Sequence, residues 1–285
     1  MLPCVNRQLL VLTGFFTSIL CFSTLPAWAL DAFTPRIAAL GGAGRAGPLQ
    51  NDAVFLNPGF SALVPNNSFS FDWLGYRSND STSHGRNYTV AAQDGRAEVL
   101  QAGAAYTLRE DAAFIHLGLS HAFVRRFGFG IAAKHIMDPV RKTSAQDGVF
   151  SLAAVPTDPL QLAFVIDNII QSGLGMEHGC YRDYALGVKY NVQGIFLIYF
   201  DPQLTPVLED QFGYTAGLEF VFMSDLFLRM GKFKNITVPY IAARGDGYGL
   251  GFGWVAPRIS LDYAFSRLTA PSPYSAHVFG ATMYF

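Results

Sequence analysis

Cysteine and charge are both scarce in this chain. The three cysteines are Cys4, Cys21 and Cys180, and they provide neither a disulfide framework nor a cysteine metal site. Charged residues make up only 14% of the sequence, with 20 Lys and Arg against 21 Asp and Glu. The resulting net charge of −1 gives no indication of a nucleic-acid partner.

Long apolar runs are also missing beyond residue 29. No stretch of 18 consecutive apolar residues occurs there, which excludes membrane-spanning helices. The composition is nevertheless 51% hydrophobic, with 28 glycines and 14% aromatics. High apolarity without helical spans fits a membrane β-barrel better than a soluble enzyme.

Catalytic signatures are absent too. His116 and Ser120 share one face of a predicted strand but lie about 13 Å apart, and His121 lies on the other face. There is no G-x-S-x-G sequence, and His178-Gly179-Cys180 has no partners for a metal site. Gly42-Ala43-Gly44 lacks the Lys-Ser/Thr of a phosphate-binding loop. We therefore expect no enzymatic activity, no metal and no cofactor.

The first residues have the pattern of a secretory leader. Arg7 precedes an apolar stretch over residues 9–22, and Ala27-Trp28-Ala29 is an A-x-A cleavage pattern. The alternative is a membrane anchor, for which the stretch is short. A signal peptide over residues 1–29 leaves 285 − 29 = 256 residues and 20 − 1 = 19 basic residues against 21 acidic ones, a charge of −2.

Strict alternation of apolar and small residues marks the end of the chain. His277, Phe279, Ala281, Met283 and Phe285 share one face, and the chain stops on an aromatic residue. This ending resembles the last strand of bacterial outer-membrane β-barrels. It predicts that one face of each strand contacts lipid and that the sheet is closed.

Similar alternation predicts an all-β, transmembrane antiparallel β-barrel over residues 67–285. Its strands are expected near residues 68–73, 86–92, 99–108, 115–120, 127–134, 183–190, 195–200, 211–220, 226–231, 247–254, 258–265 and 275–285. The count is about twelve, with ten and fourteen as alternatives because 86–92 and 195–200 alternate poorly. Long predicted connections fall on one side and tight turns on the other, as barrels require.

A soluble β-sandwich is the main competing fold, since its strands also alternate. There the exposed faces would be charged, whereas here they carry Gly, Ala and Ser with scattered charges. Aromatics near strand ends, such as Trp73, Tyr106 and Trp254, are typical of the girdles at lipid interfaces. The pattern favours the outer membrane of a Gram-negative bacterium.

Charged residues on the inward faces have mixed signs. Those expected in the lumen are Asp72, Lys134, Asp183, Lys189, Glu219, Arg229, Arg258 and Asp262. Mixed signs predict ion pairs across the lumen rather than an ion-selective ring. These pairs either only hold the barrel together or take part in its function. The glycine-rich strand 247–253 leaves space inside for a plug or a ligand.

Residues 30–66 precede the first strand and carry a distinct pattern. Gly41-Gly42-Ala43-Gly44 is followed by Asp52, an apolar stretch, and Asn57-Pro58-Gly59. This resembles the N-terminal pattern of the outer-membrane long-chain fatty-acid transporter (FadL-like) superfamily, which includes the PorV-like barrel subunit of type IX secretion. The resemblance implies that 30–66 is a luminal hatch, with Gly41, Gly42, Gly44, Asp52, Asn57 and Pro58 as its key residues.

One short helix is expected in the long external connection 137–180. Asp158 is a good N-cap and Pro159 a good first residue, and residues 160–170 are strongly apolar. The helix either covers the barrel mouth or the headgroup layer, or forms a groove for an apolar ligand. The groove residues would be Leu160, Phe164, Ile166, Ile169 and Ile170. The resemblance favours the groove, because external helices bind hydrophobic substrate in that family.

Two functions follow. The first is an outer-membrane barrel that binds or transports hydrophobic, fatty-acid-like small molecules. The second is a non-transporting secretion or assembly component that binds partner proteins of a secretion system. Both place the barrel in contact with outer-membrane lipid.

Overall fold

The computed structural model describes residues 32–49, 51–80, 82–238 and 243–285. Within them, fourteen antiparallel strands form one closed barrel in which sequence neighbours are spatial neighbours. The first and last strands complete the ring through eleven paired residues, from Ser68 opposite Tyr284 to Ser78 opposite Tyr274. The predicted signal peptide, residues 1–29, lies outside the described residues.

Strand lengths range from 8 to 15 residues. The strands are β1 (Asn67–Ser78), β2 (His84–Asp94), β3 (Gln101–Leu108), β4 (Ala113–Val124), β5 (Phe127–Asp138), β6 (Thr143–Thr157), β7 (Leu160–Asp167), β8 (Asp183–Val192), β9 (Phe196–Leu204), β10 (Phe212–Phe222), β11 (Leu226–Val238), β12 (Ala243–Val255), β13 (Ile259–Ala270) and β14 (Tyr274–Tyr284).

Alternate residues of each strand face opposite sides of the wall, as a period of two requires. In β14, Val278 is fully buried whereas its neighbour Phe279 is 49% exposed. Large apolar residues are exposed in this way on the outer face of both halves of the barrel, for example Leu117 and Leu250. An apolar outer wall is the surface expected against hydrocarbon.

The structure has fourteen strands, not about twelve, because the predicted loop 137–180 contains two of them. β6 and β7 pair with each other and with β5 and β8. The uncertain segments 86–92 and 195–200 are confirmed as β2 and β9. Since β6 and β7 enter as a hairpin, every other predicted strand keeps its direction.

The helix predicted after Asp158 is wrong. Asp158-Pro159 is instead the tight turn between β6 and β7. Leu160, Leu162, Phe164 and Ile166 lie on the outer face of β7, with Ala163 and Val165 buried behind them. The only helix described in this region is α3 (Gly173–Glu177), numbered after two luminal helices.

The chain termini of the barrel define its lower end, which faces the periplasm in outer-membrane barrels. Lower connections are short, the longest being residues 95–100. Upper connections are also short, apart from residues 168–182, which contain α3. The strands extend further upward than their apolar alternation predicts, so the difference between the two ends is smaller than expected.

Residues 32–66, apart from residue 50, form a luminal segment that folds against the inside of the wall. It contains α1 (Pro35–Ala39), α2 (Asp52–Leu56) and a 3₁₀ helix (Pro58–Leu63). Side chains of α1 pack in one apolar cluster with residues of β11, β13 and β14, including Phe233, Ala264 and Val278. No helix of the described ranges is long and apolar enough to cross a membrane.

Candidate functional site

The luminal segment rests on two pairs of wall glycines. On one side, the backbones of Ala38 and Leu40 approach Gly249 and Gly231 so closely that a Cβ at either glycine would overlap them. Thr34 begins α1 by accepting a hydrogen bond from the backbone N of Ile37 at 3.3 Å. Glycine is required here because only a wall without side chains leaves room for a second backbone.

The other pair lies on β5. Gly128 and Gly130 meet the backbone of Gly59 in the 3₁₀ helix, again closer than a Cβ would allow. Ser151 of β6 accepts a hydrogen bond from the backbone N of Gly59 at 2.9 Å. Gly59 therefore lies at a second close contact between the luminal segment and the wall.

Arg36 is the centre of the polar contacts in the lumen. Its guanidinium lies 3.3 Å from Asp52 within the segment and 3.3 Å from Glu219 of β10. It also donates to the hydroxyl of Tyr199 on β9 at 2.9 Å. The side chains of Arg36, Asp52 and Glu219 are all at least 92% buried. A buried charge of this kind is stable only with such partners.

The wall continues this network from Glu219. Arg229 of β11 donates to Glu219 at 2.6 Å and also pairs with Asp262 of β13. Asp72 is buried on β1 near the same region and, with Asp262, lines a small cavity beside Asp52. The structure thus places Asp72, Glu219, Arg229 and Asp262 on the inner side of the wall.

A second network holds the glycine turn of the luminal segment. The backbone N–H groups of Gly44 and Arg45 donate to one carboxylate oxygen of Asp201 at 2.8 and 2.9 Å. The Arg45 guanidinium lies 3.6 Å from Asp201 and 4.0 Å from Asp183. Asp201 is fully buried. The Asp201 carboxylate therefore binds both the backbone N–H groups of the turn and the guanidinium of Arg45.

The predicted hatch residues lie in the turns and short helices of the luminal segment. Gly41, Gly42 and Gly44 have φ of 66°, 89° and 130°, which side chains with a Cβ rarely adopt. Asn57 donates from its side chain to the carbonyl of Arg45 at 3.0 Å, joining the two halves of the segment. Pro58 begins the 3₁₀ helix. Whether the segment works as a hatch stays a prediction.

Two other predicted luminal charges are also inside. Lys134 of β5 pairs with Asp167 at 2.5 Å and donates to Asn168 at 3.1 Å. The ammonium of Lys189 lies 5.6 Å from the centre of the Tyr199 ring. Arg258, in contrast, is exposed in the turn before β13. Its predicted luminal position is wrong because the strand begins one residue later.

The predicted ligand-groove residues do not form a groove on a helix. Leu160, Phe164 and Ile166 face outward on β7, and Ile169 and Ile170 are exposed in the connection after it. They belong to the outer wall and its upper rim.

Little space remains between the luminal segment and the wall at two polar cavities. One, of about 20 Å³, lies beside Arg36, Asp52 and Asp262. The other, of about 10 Å³, lies beside Arg45 and Asp183. Each is about the size that one water molecule needs, so neither holds an apolar ligand in this conformation.

The upper mouth carries a separate ionic cluster, formed by Arg109, Asp111, Asp138 and His178. Arg109 pairs with Asp111 at 2.6 Å, and His178 lies 3.2 Å from Asp111 and 3.3 Å from Asp138. Burial alone would raise the pKa of Asp111, but the hydrogen bonds from His178 and Arg109 hold it below its ordinary value. The cluster ties the connection containing α3 to the β3–β4 turn.

The histidine and serine considered for catalysis are on the inner wall. His116 and Ser120 are buried, and the ring of Phe55 packs edge-on to His116 at 5.3 Å. In the described part of the chain, no group of three His, Cys, Asp or Glu residues is placed to hold a metal ion.

A shallow apolar groove of about 790 Å³ runs across the outer face of β2–β5. Its outward residues include Ala92, Ala102, Ala104 and Ala133, with Leu117 and Leu119 beside them. Directly behind it, Val54 of the luminal segment covers Gly103. Small side chains therefore make the wall thin between the outer surface and the segment.

Arg36, Arg45, Tyr199 and Asp201 were not among the predicted site residues. The available signal was the presence of two arginines in residues 36–46, which otherwise consist of Gly, Ala, Leu and Ile. Such bases need buried acidic partners, but sequence patterns do not say which acids those are.

Solved structures share this fold. The protein is similar to the CymD monoaromatic hydrocarbon channel, with 11% identity over 91% of this chain and 99% of that chain and a TM-score of 0.68. The Ralstonia pickettii toluene transporter TbuX matches with 10% identity over 90% and 99% and a TM-score of 0.65. A Pseudomonas aeruginosa FadL homologue matches with 10% identity over 91% and 99% and a TM-score of 0.65.

No family model matches the chain, and no curated protein matches it by sequence. The likeness is thus one of fold: a closed antiparallel barrel of the architecture found in outer-membrane channels for hydrophobic molecules.

Proposed function

We propose that the protein is a FadL-like channel of the Gram-negative outer membrane that binds and passes hydrophobic small molecules. In this proposal, residues 30–66 are the hatch. A ligand passes when the hatch moves away from the glycines on which it rests.

The observation that carries the proposal is the way the luminal segment is attached. The fourteen strands close the barrel without it, since β1 pairs directly with β14. Its links to the wall include the ion pair of Arg36 with Glu219 and that of Arg45 with Asp201. Breaking such side-chain contacts shifts the segment without opening the β-ladder.

An apolar cargo is supported by two further observations. The groove on the outer face of β2–β5 offers an alanine-lined surface next to the bilayer. Proteins of similar fold include one described as a monoaromatic hydrocarbon channel and one described as a toluene transporter. Toluene and palmitate are therefore suitable probes.

The test is to tether the luminal segment to the wall. Ser68 of β1 donates to the side chain of Asn51 at 2.9 Å, so paired cysteines at these positions can be joined by a short reducible crosslinker. We expect the tethered Asn51→Cys/Ser68→Cys protein, in a Cys180→Ala background, to lose its contribution to uptake of toluene and palmitate across the outer membrane of whole cells that express it. Reduction should restore uptake in the same sample.

Each single-cysteine variant treated with the same reagent is the matched control and should keep its uptake. Unchanged uptake in the tethered protein would show that the segment is not the hatch. Failure of wild-type protein to admit either probe, or to retain any hydrophobic molecule on purification, would favour the non-transporting secretion or assembly role.

A further inference from the structure

Four basic side chains and two polar ones line one stretch of the outer wall at its upper end. Lys232, Tyr248, Arg267, Ser275, Arg77 and His84 are successive cross-strand partners on β11, β12, β13, β14, β1 and β2. All six belong to the outward-facing set of their strands. Five strand spacings separate the ends, so this basic row is about 24 Å long.

Two more bases extend the row. Arg86 faces outward on β2 opposite Gly75, and Lys234 lies two residues above Lys232 on β11. In the described part of the chain, none of Arg77, Arg86, Lys232 and Lys234 forms an ion pair. Glu110 lies beside the row and accepts a hydrogen bond from the backbone N of Arg86 at 3.1 Å.

Within the described residues, the outer bases lack the carboxylate partners that the luminal bases have. Arg36, Arg45, Arg229 and Lys134 each lie within 4.0 Å of a carboxylate. The outer bases keep their charge available, although they sit on a wall whose outward residues are mostly apolar.

An aromatic row lies below the bases on the same strands. Tyr88, Trp73, Phe279, Tyr263 and Phe252 are cross-strand partners on β2, β1, β14, β13 and β12. Successive rings from Trp73 to Phe252 are 5.7, 4.8 and 5.5 Å apart. Trp73 is four residues below Arg77, about 13 Å along the strand. Trp and Tyr are typical of the headgroup level of a bilayer, and the basic row lies above Trp73, Tyr88 and Tyr263 on the same wall.

Between the two rows is an open groove of about 910 Å³. Arg77, His84 and Arg86 line its upper part, and Trp73 and Phe279 line its lower part. Gly75 forms the floor, and the Trp73 ring lies so close to it that a Cβ there would meet the ring. The groove therefore has cationic groups above and an apolar surface below.

We propose that this groove and the basic row bind a phosphorylated glycolipid of the outer leaflet, of the lipid A type. Guanidinium groups bind phosphate through paired hydrogen bonds, and the ligand's acyl chains would lie along Trp73 and Phe279. A row about 24 Å long suits a headgroup with more than one phosphate. The site depends on the orientation of the barrel in the membrane and not on transport.

The test measures binding of bis-phosphorylated lipid A to detergent-extracted protein by native mass spectrometry. We expect the wild type to bind it and the Arg77→Gln/Arg86→Gln/Arg267→Gln variant to bind at least about tenfold more weakly, because each base near a lipid surface contributes to anion binding. Binding by the wild type should also weaken as salt is raised.

The matched control removes three exposed arginines at the lower end, Arg125→Gln/Arg126→Gln/Arg258→Gln, and should bind as the wild type does. If the upper variant does not fold, Lys232→Gln/Lys234→Gln tests the other end of the row, with a smaller expected loss. Heat-dependent gel mobility reports folding of each variant.

The ligand controls separate the sources of phosphate. Inorganic phosphate should not displace lipid A, and dephosphorylated lipid A and phosphatidylglycerol should each bind at least about tenfold more weakly. Equal binding of dephosphorylated lipid A would overturn the role of the bases. Equal binding of phosphatidylglycerol would overturn the choice of a glycolipid, and equal loss in the lower-end control would overturn the location.

Discussion

The Nε of Arg36 lies 3.3 Å from the Oε2 of Glu219, although 183 positions separate the two residues in sequence. Arg36 belongs to the luminal segment and Glu219 to the wall. The same carboxylate oxygen accepts a hydrogen bond from Arg229 of β11 at 2.6 Å. One buried acid thus connects the luminal segment to the wall.

Removal of the Arg36 charge tests the strength of that connection. The Arg36→Gln substitution leaves Asp52 and Glu219 buried with one cation fewer, and we expect it to lower the free energy of unfolding by about 3–5 kcal/mol. Urea unfolding in lipid vesicles, followed by tryptophan fluorescence, measures the change. The control is Arg126→Gln, whose ion pair with Asp158 is 50% and 89% exposed and should contribute less than about 1 kcal/mol. Equal losses would mean that Arg36 is not a central contact.

Substitution of the wall glycines should displace the luminal segment from the wall. Gly231→Ala and Gly249→Ala place a Cβ against the backbone of Leu40 and Ala38. We expect a loss of about 1–3 kcal/mol of stability from overpacking, together with a rise in single-channel conductance as the segment is displaced. Gly118→Ala is the control, because a Cβ there would lie 3.6 Å from Pro58, an ordinary contact. Unchanged conductance in both test variants would argue against close seating.

A charged side chain on the outer face of β7 should destabilise the barrel by an amount that depends on its depth in the bilayer. Phe164 faces outward between Leu152 and Leu186 of the neighbouring strands. Phe164→Arg should therefore lower the unfolding free energy in vesicles by about 2–4 kcal/mol, as arginine does in the hydrocarbon region. Ile170→Arg, in the connection above, should have little effect. A small effect at Phe164 would contradict its contact with lipid.

We expect the contacts of the ionic cluster at the upper mouth to be lost at acidic pH. Because the pKa of Asp111 is lowered in the folded protein, its contribution to stability is complete above the ordinary carboxyl pKa of about 3.9 and is lost as the pH falls through the lower folded value. We expect buried Cys180 to react with dithiodipyridine only below about pH 4 in the wild type. In Asp111→Asn it should react at neutral pH as well.

Asp80→Asn is the control for this experiment. Asp80 lies in the β1–β2 connection, where hydrogen bonds from Ser78 and Thr82 lower its pKa to about 2. Its substitution should leave the reaction of Cys180 unchanged. Equal reactivity of Cys180 in wild type and Asp111→Asn at every pH would remove the role of Asp111.

Much of the wall could be predicted because a strand between lipid and lumen must alternate. The directions of twelve strands and most inward charges follow from that rule. The rule did not identify β7, because residues 160–170 are apolar in an order that fits a helix as well as a strand. Asp158-Pro159 is also equally suited to the start of a helix and to a tight turn. The length of the predicted loop 137–180 is itself a signal against it, since structureless connections this long are uncommon.

The luminal contacts could not be predicted in the same way. Gly41, Gly42 and Gly44 were identified by resemblance, but the partners of Arg36 and Arg45 depend on which strands the closed ring brings together. Asp201 follows an apolar run that lacks any visible alternation, so its inward direction has no local signal. Contacts of this kind come from topology rather than from patterning.

The seam between β1 and β14 has a consequence for biogenesis. Ser68 of β1 is paired with Tyr284 of β14. The edge of β1 that faces away from β2 is therefore paired only when β14, the last strand, is available. Until then both would expose unpaired N–H and C=O groups, which a hydrocarbon environment does not tolerate. Closure of the ring, and with it the loss of both free edges, therefore awaits the last strand.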